Sequence, residues 1–133
     1  IKLRAFSLTR DNDCELTKST KEMLQNEISI NQYIKEQSKT HDLSNVCVAK
    51  SISKINDDQI GIMTELCDEN IESLILLSFQ EFSLNDCYFV MAQMAKAVAQ
   101  LHSIGIVHRD LKTDNFLFTC DKEGKIQHVK LID

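Results

Sequence analysis

The chain has 133 residues, enough for one small domain, and its composition, 43% hydrophobic and 26% charged, excludes a disordered polymer. A net charge of −5 argues against a broad surface for nucleic acid or anionic lipid, and no apolar run approaches the length of a membrane span, Leu74–Leu77 being the strongest. The five cysteines (Cys14, Cys47, Cys67, Cys87 and Cys120) are odd in number and hold no C-x-x-C pair. Neither a disulfide framework nor a zinc site is indicated, and an intracellular, cytoplasmic setting is expected.

Ile1 to Phe6 alternates and predicts a short strand. Ser7 to Lys18 is a polar loop. Ser19 stands three residues before Glu22, a capping-box spacing. Apolar residues at Met23, Leu24, Ile28, Ile30, Tyr33 and Ile34 then predict a helix over 20–37. Glu27 shares the apolar face, where an unpaired glutamate sits at a boundary with its tip in solvent. His41 to Asn45 is turn-like. Strands are predicted over Val46–Ile55 and Gln59–Leu66, joined as a hairpin by the turn at Asn56-Asp57-Asp58.

Asp68-Glu69-Asn70 breaks the pattern, and Glu72 to Leu77 is a short helix. Ser83 caps the longest helix, with Asp86 three residues on, where a carboxylate can reach back to free backbone amides. Cys87, Val90, Met91, Met94, Val98, Leu101 and His102 recur at helical spacing, with Met91 and Met94 read as core filler. Gly105 ends the helix as a left-handed cap. After the loop at 107–114 come a run over Asn115–Thr119, a turn at Cys120–Lys125 containing Gly124, and a strand over His128–Ile132. Ile1 in place of Met, and Asp133 closing a strand, read as cut ends, and the fragment alone is expected to be inactive.

The loop Val107-His108-Arg109-Asp110-Leu111-Lys112-Thr113-Asp114-Asn115 carries more charged and function-capable groups than a solvated turn needs, and a core could not bury them unpaired. The order His108-Arg109-Asp110, four intervening residues and Asn115 resembles the catalytic loop of protein kinases, and the roles that follow are those the resemblance implies. Moving a phosphoryl group to a hydroxyl needs the hydroxyl held in line and the shifting charge neutralised. Asp110 is the candidate carboxylate to accept the hydroxyl proton. Lys112 can face the moving phosphoryl oxygens. Asn115 and Asp133 supply the hard oxygen ligands that magnesium prefers. Arg109 and His108 are expected to organise the loop rather than react, His108 as a packed structural histidine.

His-Arg-Asp, four intervening residues and Asn is the catalytic-loop signature of protein kinases. With Lys112 in the loop and Asp133 at the end of Val129-Lys130-Leu131-Ile132-Asp133, the chain resembles a eukaryotic-type protein kinase domain throughout. Asp-Leu-Lys resembles the serine/threonine branch, since tyrosine kinases usually carry Ala-Arg or Arg-Ala there. Asn-Phe-Leu-Phe is similar to the calcium/calmodulin-dependent and calcium-dependent kinases, although no D-x-D-x-D-G calcium loop occurs.

The resemblance implies the remaining site. Ile1-Lys2 matches the end of the family's Ala-Ile-Lys strand, which makes Lys2 the lysine for the α- and β-phosphates; the competing reading is an edge-strand surface lysine. Its partner would be Glu27, with Glu22 as fallback. Met63-Thr64-Glu65-Leu66-Cys67 resembles the hinge: Thr64 would guard the back of the nucleotide pocket, backbone groups of Glu65 and Cys67 would meet adenine, and Asp68 would reach the ribose. Leu117 matches the apolar floor beneath adenine. Two positions depart from the family pattern. Thr113 stands where proline is common, and Asn31 where a large apolar residue usually joins the internal column of an active kinase.

The expected architecture is α+β: a two-lobed, truncated protein-kinase-like fold. One partial domain covers 1–133, with 1–66 as the small-lobe part and 67–133 as the hinge and start of the large lobe, including the catalytic loop 108–115. The expected activity is transfer of the γ-phosphoryl group of ATP, with Mg2+, to serine or threonine hydroxyls of a protein substrate, with no nucleic-acid partner. The alternatives are a pseudokinase scaffold and a small-molecule kinase of similar fold.

Overall fold

The computed structural model describes residues 2–7, 18–56, 59–78 and 83–132. It is an α+β structure of two compact units, Ile1–Thr40 with Val48–Leu66, and His41–Cys47 with Cys67–Asp133. Among the described residues no helix is long and apolar enough to cross a membrane.

The first unit is a three-stranded antiparallel sheet with one long helix. Strands β1 (Lys2–Ser7), β2 (Ser51–Asn56) and β3 (Gln59–Thr64) lie in the order β1-β3-β2. Helix α1 (Lys18–Gln37) packs Leu24 and Ile28, one turn apart, on the cluster of Ala49, Ile60 and Ile62, against which Ile52 of β2 also packs. The apolar stripe is narrower than the sequence pattern suggests, for Met23, Ile30 and Tyr33 are exposed. Lys18 and Ser19 already belong to the helix, so the Ser19–Glu22 spacing does not mark its start.

The predicted strand over 46–55 splits in two. Its second half becomes β2, paired from Ser51↔Met63 to Asn56↔Gln59 with an irregularity near Lys54. Its first half, at Val46, forms a parallel bridge with Leu131 in the second unit. Val46 is buried, and the amides of Cys47 and Leu131 each find a carbonyl across that bridge, on Leu131 and Asn45 respectively, at 2.8 Å. These backbone groups would otherwise be orphaned. The segment His41–Cys47 therefore groups with the second unit, although it lies within the 1–66 expected for the small-lobe part.

In the second unit β4 (Glu69–Asn70), β5 (Phe116–Cys120) and β6 (Ile126–Leu131) form an antiparallel sheet in that order. Helix α2 (Ile71–Ser78) follows β4 directly, with Ile71 buried. Helix α3 (Leu84–Ser103) opens with the predicted capping box. Asp86 N donates to Ser83 Oγ at 3.2 Å, and Asp86 Oδ2 accepts from Ser83 N at 3.1 Å. Gly105, at φ 77°, ends the helical turn in the left-handed region.

Val90, Ala97 and Leu101 are buried on one face of α3, which packs against β6, where Val129 and Leu131 are almost wholly enclosed. Met91 lies one step round the helix from Val90 and is 64% exposed. It is not core filler, and Met94 is half-buried.

Candidate active site

The loop 104–115 leaves α3 and returns to β5 through a 3-10 turn at Thr113–Asn115. Four residues of it are tied together. His108 Nδ1 accepts from the amide of Asp110 at 3.3 Å, which leaves Nε2 as the protonated ring nitrogen, donating to Ile132 O at 2.9 Å. The histidine thus organises the loop, as expected. Arg109 sits at φ 67°, a left-handed conformation that costs a non-glycine residue about 1–2 kcal/mol. The bonds on either side of it hold that conformation and turn the chain at Asp110.

Asn115 is 5% exposed. Its Nδ2 donates to Asp110 O at 2.9 Å and to Asp110 Oδ2 at 3.3 Å. With the nitrogen engaged by Asp110, the amide oxygen is the atom suited to a hard cation. The backbone of Asn115 is fixed as well, its amide on Lys112 O at 3.0 Å and its carbonyl on the amide of Ile132 at 2.9 Å. Lys112 Nζ stands 2.9 Å from Asp110 Oδ2, both side chains being more than half exposed. This lysine holds the Asp110 carboxyl below its ordinary range, first by hydrogen bonding and then by charge, with Asn115 adding a further hydrogen bond.

The loop therefore gathers Asp110, Lys112 and Asn115 into one cluster. Asp133 lies outside the described residues; Ile132, beside it, is bonded to both His108 and Asn115. Among the described residues no three His, Cys, Asp or Glu side chains form a preformed cage for a metal ion. A magnesium ion carried on a triphosphate needs only one or two protein oxygens, and an amide and a carboxylate fit that requirement.

Three other predicted residues lie in this unit. Leu117 is half-buried in β5, where its backbone faces Asn70 and Lys130 on the flanking strands. Cys67 is buried. Asp68 donates its amide to Phe118 O at 2.9 Å, and its Oδ2 accepts from the amide of Cys120 at 2.7 Å. One carboxylate oxygen of Asp68 thus closes the end of β5, and a ribose contact would use the other.

In the first unit β1 sets Lys2 opposite Thr64 on β3. The Lys2 side chain lies outside the described residues. Thr64 Oγ1 donates to Glu65 O at 3.2 Å, and both residues are half-buried. Glu27 is half-buried and Glu22 exposed. Glu27 Oε1 accepts from Asn31 Nδ2 at 2.8 Å, and the same nitrogen reaches Glu27 O at 3.0 Å. The polar residue at the position usually apolar in the family thus has a local use, orienting the Glu27 carboxylate.

Two arrangements escape the sequence pattern. Glu72, in the first turn of α2, meets Asp114, whose hydrogen bond and charge raise the Glu72 carboxyl above its ordinary range. Asn45, in the segment read as a simple turn, is buried between α3 and β6. Its signal is faint: Gln93 and Gln100, a heptad apart on the buried side of α3, are polar where the helix otherwise reads apolar.

Comparison with known proteins adds the following. The family profile described as "Protein kinase domain" matches residues 8–133, beginning after Lys2. The chain is 28% identical over 95 residues to serine/threonine-protein kinase CG17528 of Drosophila melanogaster, covering 62% of this chain and 13% of that protein. It is 41% identical over 70 residues to CDPK-related kinase 7 of Arabidopsis thaliana, covering 52% of this chain and 12% of that protein. The chain thus spans about an eighth of the length of these curated relatives.

Proposed function

The chain belongs to the protein kinase domain family, and on that premise we propose that it transfers the γ-phosphoryl group of ATP to serine or threonine hydroxyls of a protein substrate, inside the cell, where ATP is available. The observation that carries this reading is the joint tethering of Asp110 by Lys112 and Asn115. The two relatives, each named as a kinase and one as a serine/threonine-protein kinase, support the hydroxyl specificity.

The geometry supports the following roles as part of this proposal. Asp110 Oδ2 is the oxygen that meets Lys112 and Asn115. Oδ1 orients the substrate hydroxyl and accepts its proton as that oxygen bonds to the γ-phosphorus and ADP departs. A carboxylate with a depressed pKa is a weak base. That suits a reaction whose transition state is largely dissociative and asks for little activation of the nucleophile. Lys112, beside the same carboxylate, neutralises charge on the transferring oxygens. Asn115 Oδ1 and the Asp133 carboxylate would hold Mg2+, which neutralises the phosphates when bound. Lys2 with Glu27 would secure the α- and β-phosphates. Thr64, Glu65, Cys67, Asp68 and Leu117 would line the nucleoside.

The test uses the full-length protein, a generic serine/threonine protein substrate and ATP labelled at either the γ- or the α-phosphate. Label from the γ position should appear as phosphoserine or phosphothreonine and vanish with a magnesium chelator. Absence of γ-label on the substrate, with Mg-ATP still raising the melting temperature, would make the protein a nucleotide-binding scaffold instead.

A further inference from the structure

Among the described residues the buried polar side chains are Asn45, Gln100 and Asn115. Burial of an amide is tolerated only when its hydrogen bonds are made. Asn115 belongs to the active site. Asn45 is remote from the loop in sequence, Gln100 lies in the last turns of α3 ahead of it, and neither has a part in the chemistry, yet one chain of bonds joins all three.

Asn45 uses every polar group it has. Its amide donates to Gln100 Oε1 at 2.8 Å, and its carbonyl accepts from Leu131 N at 2.8 Å. Its Nδ2 donates to Val129 O at 2.9 Å and to Gln93 Oε1, and its Oδ1 accepts from Ser44 Oγ at 3.3 Å. Asn45 thus grips β6 at two alternate residues, Val129 and Leu131, from the side opposite β5, and is itself gripped by α3. The next residue, Ile132, bonds the catalytic loop twice, through its amide to Asn115 O and through its carbonyl to His108 Nε2, both at 2.9 Å.

A strand that slips by one residue presents its side chains to the wrong face and misplaces every backbone bond beyond the slip. A clamp at 129 and 131 is therefore a clamp on 132. We propose that Asn45 is a positioning residue for phosphoryl transfer: it fixes the register of β6, and through Ile132 it holds His108, Asn115 and the strand end that leads to Asp133. This rests on the kinase reading above for its functional consequence; the mechanical link stands on the hydrogen bonds alone.

The test uses full-length protein with Asn45→Ala, and Lys96→Ala as control. Lys96 bonds the same segment through Asp42 and Ser44 but lies off the chain of bonds to β6. Three properties are read per folded molecule, well below the melting temperature: amide hydrogen exchange, the Mg2+ concentration for half-maximal transfer, and KM for the protein substrate. In Asn45→Ala, exchange at Asn115 and Ile132 should quicken at least tenfold. The Mg2+ requirement should rise several-fold, and KM for the protein substrate should stay unchanged. Lys96→Ala should match wild type in all three.

If exchange quickens only within 41–47 and α3, with kcat and Mg2+ requirement intact, Asn45 is a fold anchor and the proposal is wrong. Should Asn45→Ala fail to fold, Gln93→Met removes one acceptor for the Asn45 amide and is judged by the same readouts. A wild type that transfers no phosphate sinks the kinase reading, and the exchange measurement still decides whether Asn45 governs the loop.

Discussion

The side-chain nitrogen of Asn115 donates to both the carbonyl and the carboxylate of Asp110, at 2.9 and 3.3 Å. One buried amide thus sets the backbone and the carboxylate of the proposed base, and its own oxygen is the proposed metal ligand. On the proposed roles, proton acceptance and metal binding share one support. Removing it should damage both functions, and the fold as well, since a partner is lost at a buried site. Asn115→Ala is expected to lower stability by about 1–3 kcal/mol and to raise the Mg2+ concentration needed for transfer. Denaturant unfolding and a magnesium titration check the two effects; a change in one without the other would separate the roles assigned to Asn115.

The left-handed backbone of Arg109 makes an unusual demand. Glycine normally destabilises relative to alanine, but at φ 67° the order should reverse. Arg109→Gly is expected to be more stable than Arg109→Ala by about 1–2 kcal/mol. Thermal melts of the two variants decide it, and an alanine variant at least as stable as the glycine one would show that the loop relaxes out of this conformation.

At the start of α3 the Ser83–Asp86 box should show in acid. The Asp86 carboxyl lies below the ordinary value of 3.8, chiefly through the Ser83 hydroxyl and then its amide. A depressed pKa means stability that is present above the unfolded value and lost as pH falls through the folded one. Ser83→Ala should cost about 1 kcal/mol at neutral pH. The gap between variant and wild type should narrow as pH drops below the unfolded pKa, leaving the part that comes from the Asp86 amide on the Ser83 hydroxyl. A gap that stays constant down to the lowest pH at which both fold would mean the carboxylate takes no part in the cap.

Glu72 should behave with the opposite sign. Asp114 raises its carboxyl above the ordinary value of 4.5, so the folded state holds that proton more tightly than the unfolded chain does. Stability from this pair is present below the unfolded pKa and fades as pH rises through the folded one, where two carboxylates come to face each other. Glu72→Gln should remove that decline and melt no lower than wild type at pH 7. A variant that melts lower at pH 7 would show that the Glu72 charge is stabilising.

Much of this molecule is legible in the sequence because its signals are local. Ser83 and Asp86 announce a helix start three residues apart, Gly105 its end, and the His108–Asn115 spacing the loop. Long-range competition hides the rest. Val46 looks like the first residue of the strand that ends near Ile55, but its backbone finds a partner in Leu131, 85 residues on and within the same second unit, so the strand begins at Ser51. Met91 has the helical spacing of a core residue, yet α3 turns Val90, Ala97 and Leu101 toward β6 and leaves Met91 outside. Asn31 breaks the family pattern in sequence and acquires a reason only when its amide is seen on Glu27. No local pattern marks Asn45, because its partners in α3 and β6 all lie 48 or more residues away.

The most direct measurement is the rate of phosphate transfer from Mg-ATP to a serine/threonine protein substrate by the full-length protein and its Asp110→Asn variant. Asparagine keeps an oxygen for Lys112 and Asn115 and loses the proton acceptor. With the side chain exposed, the melting temperature should hardly move. The account predicts that kcat falls by roughly 100- to 10,000-fold with KM for ATP little changed. A variant that transfers phosphate at the wild-type rate would contradict it, because Asp110 could then not be the group that receives the hydroxyl proton.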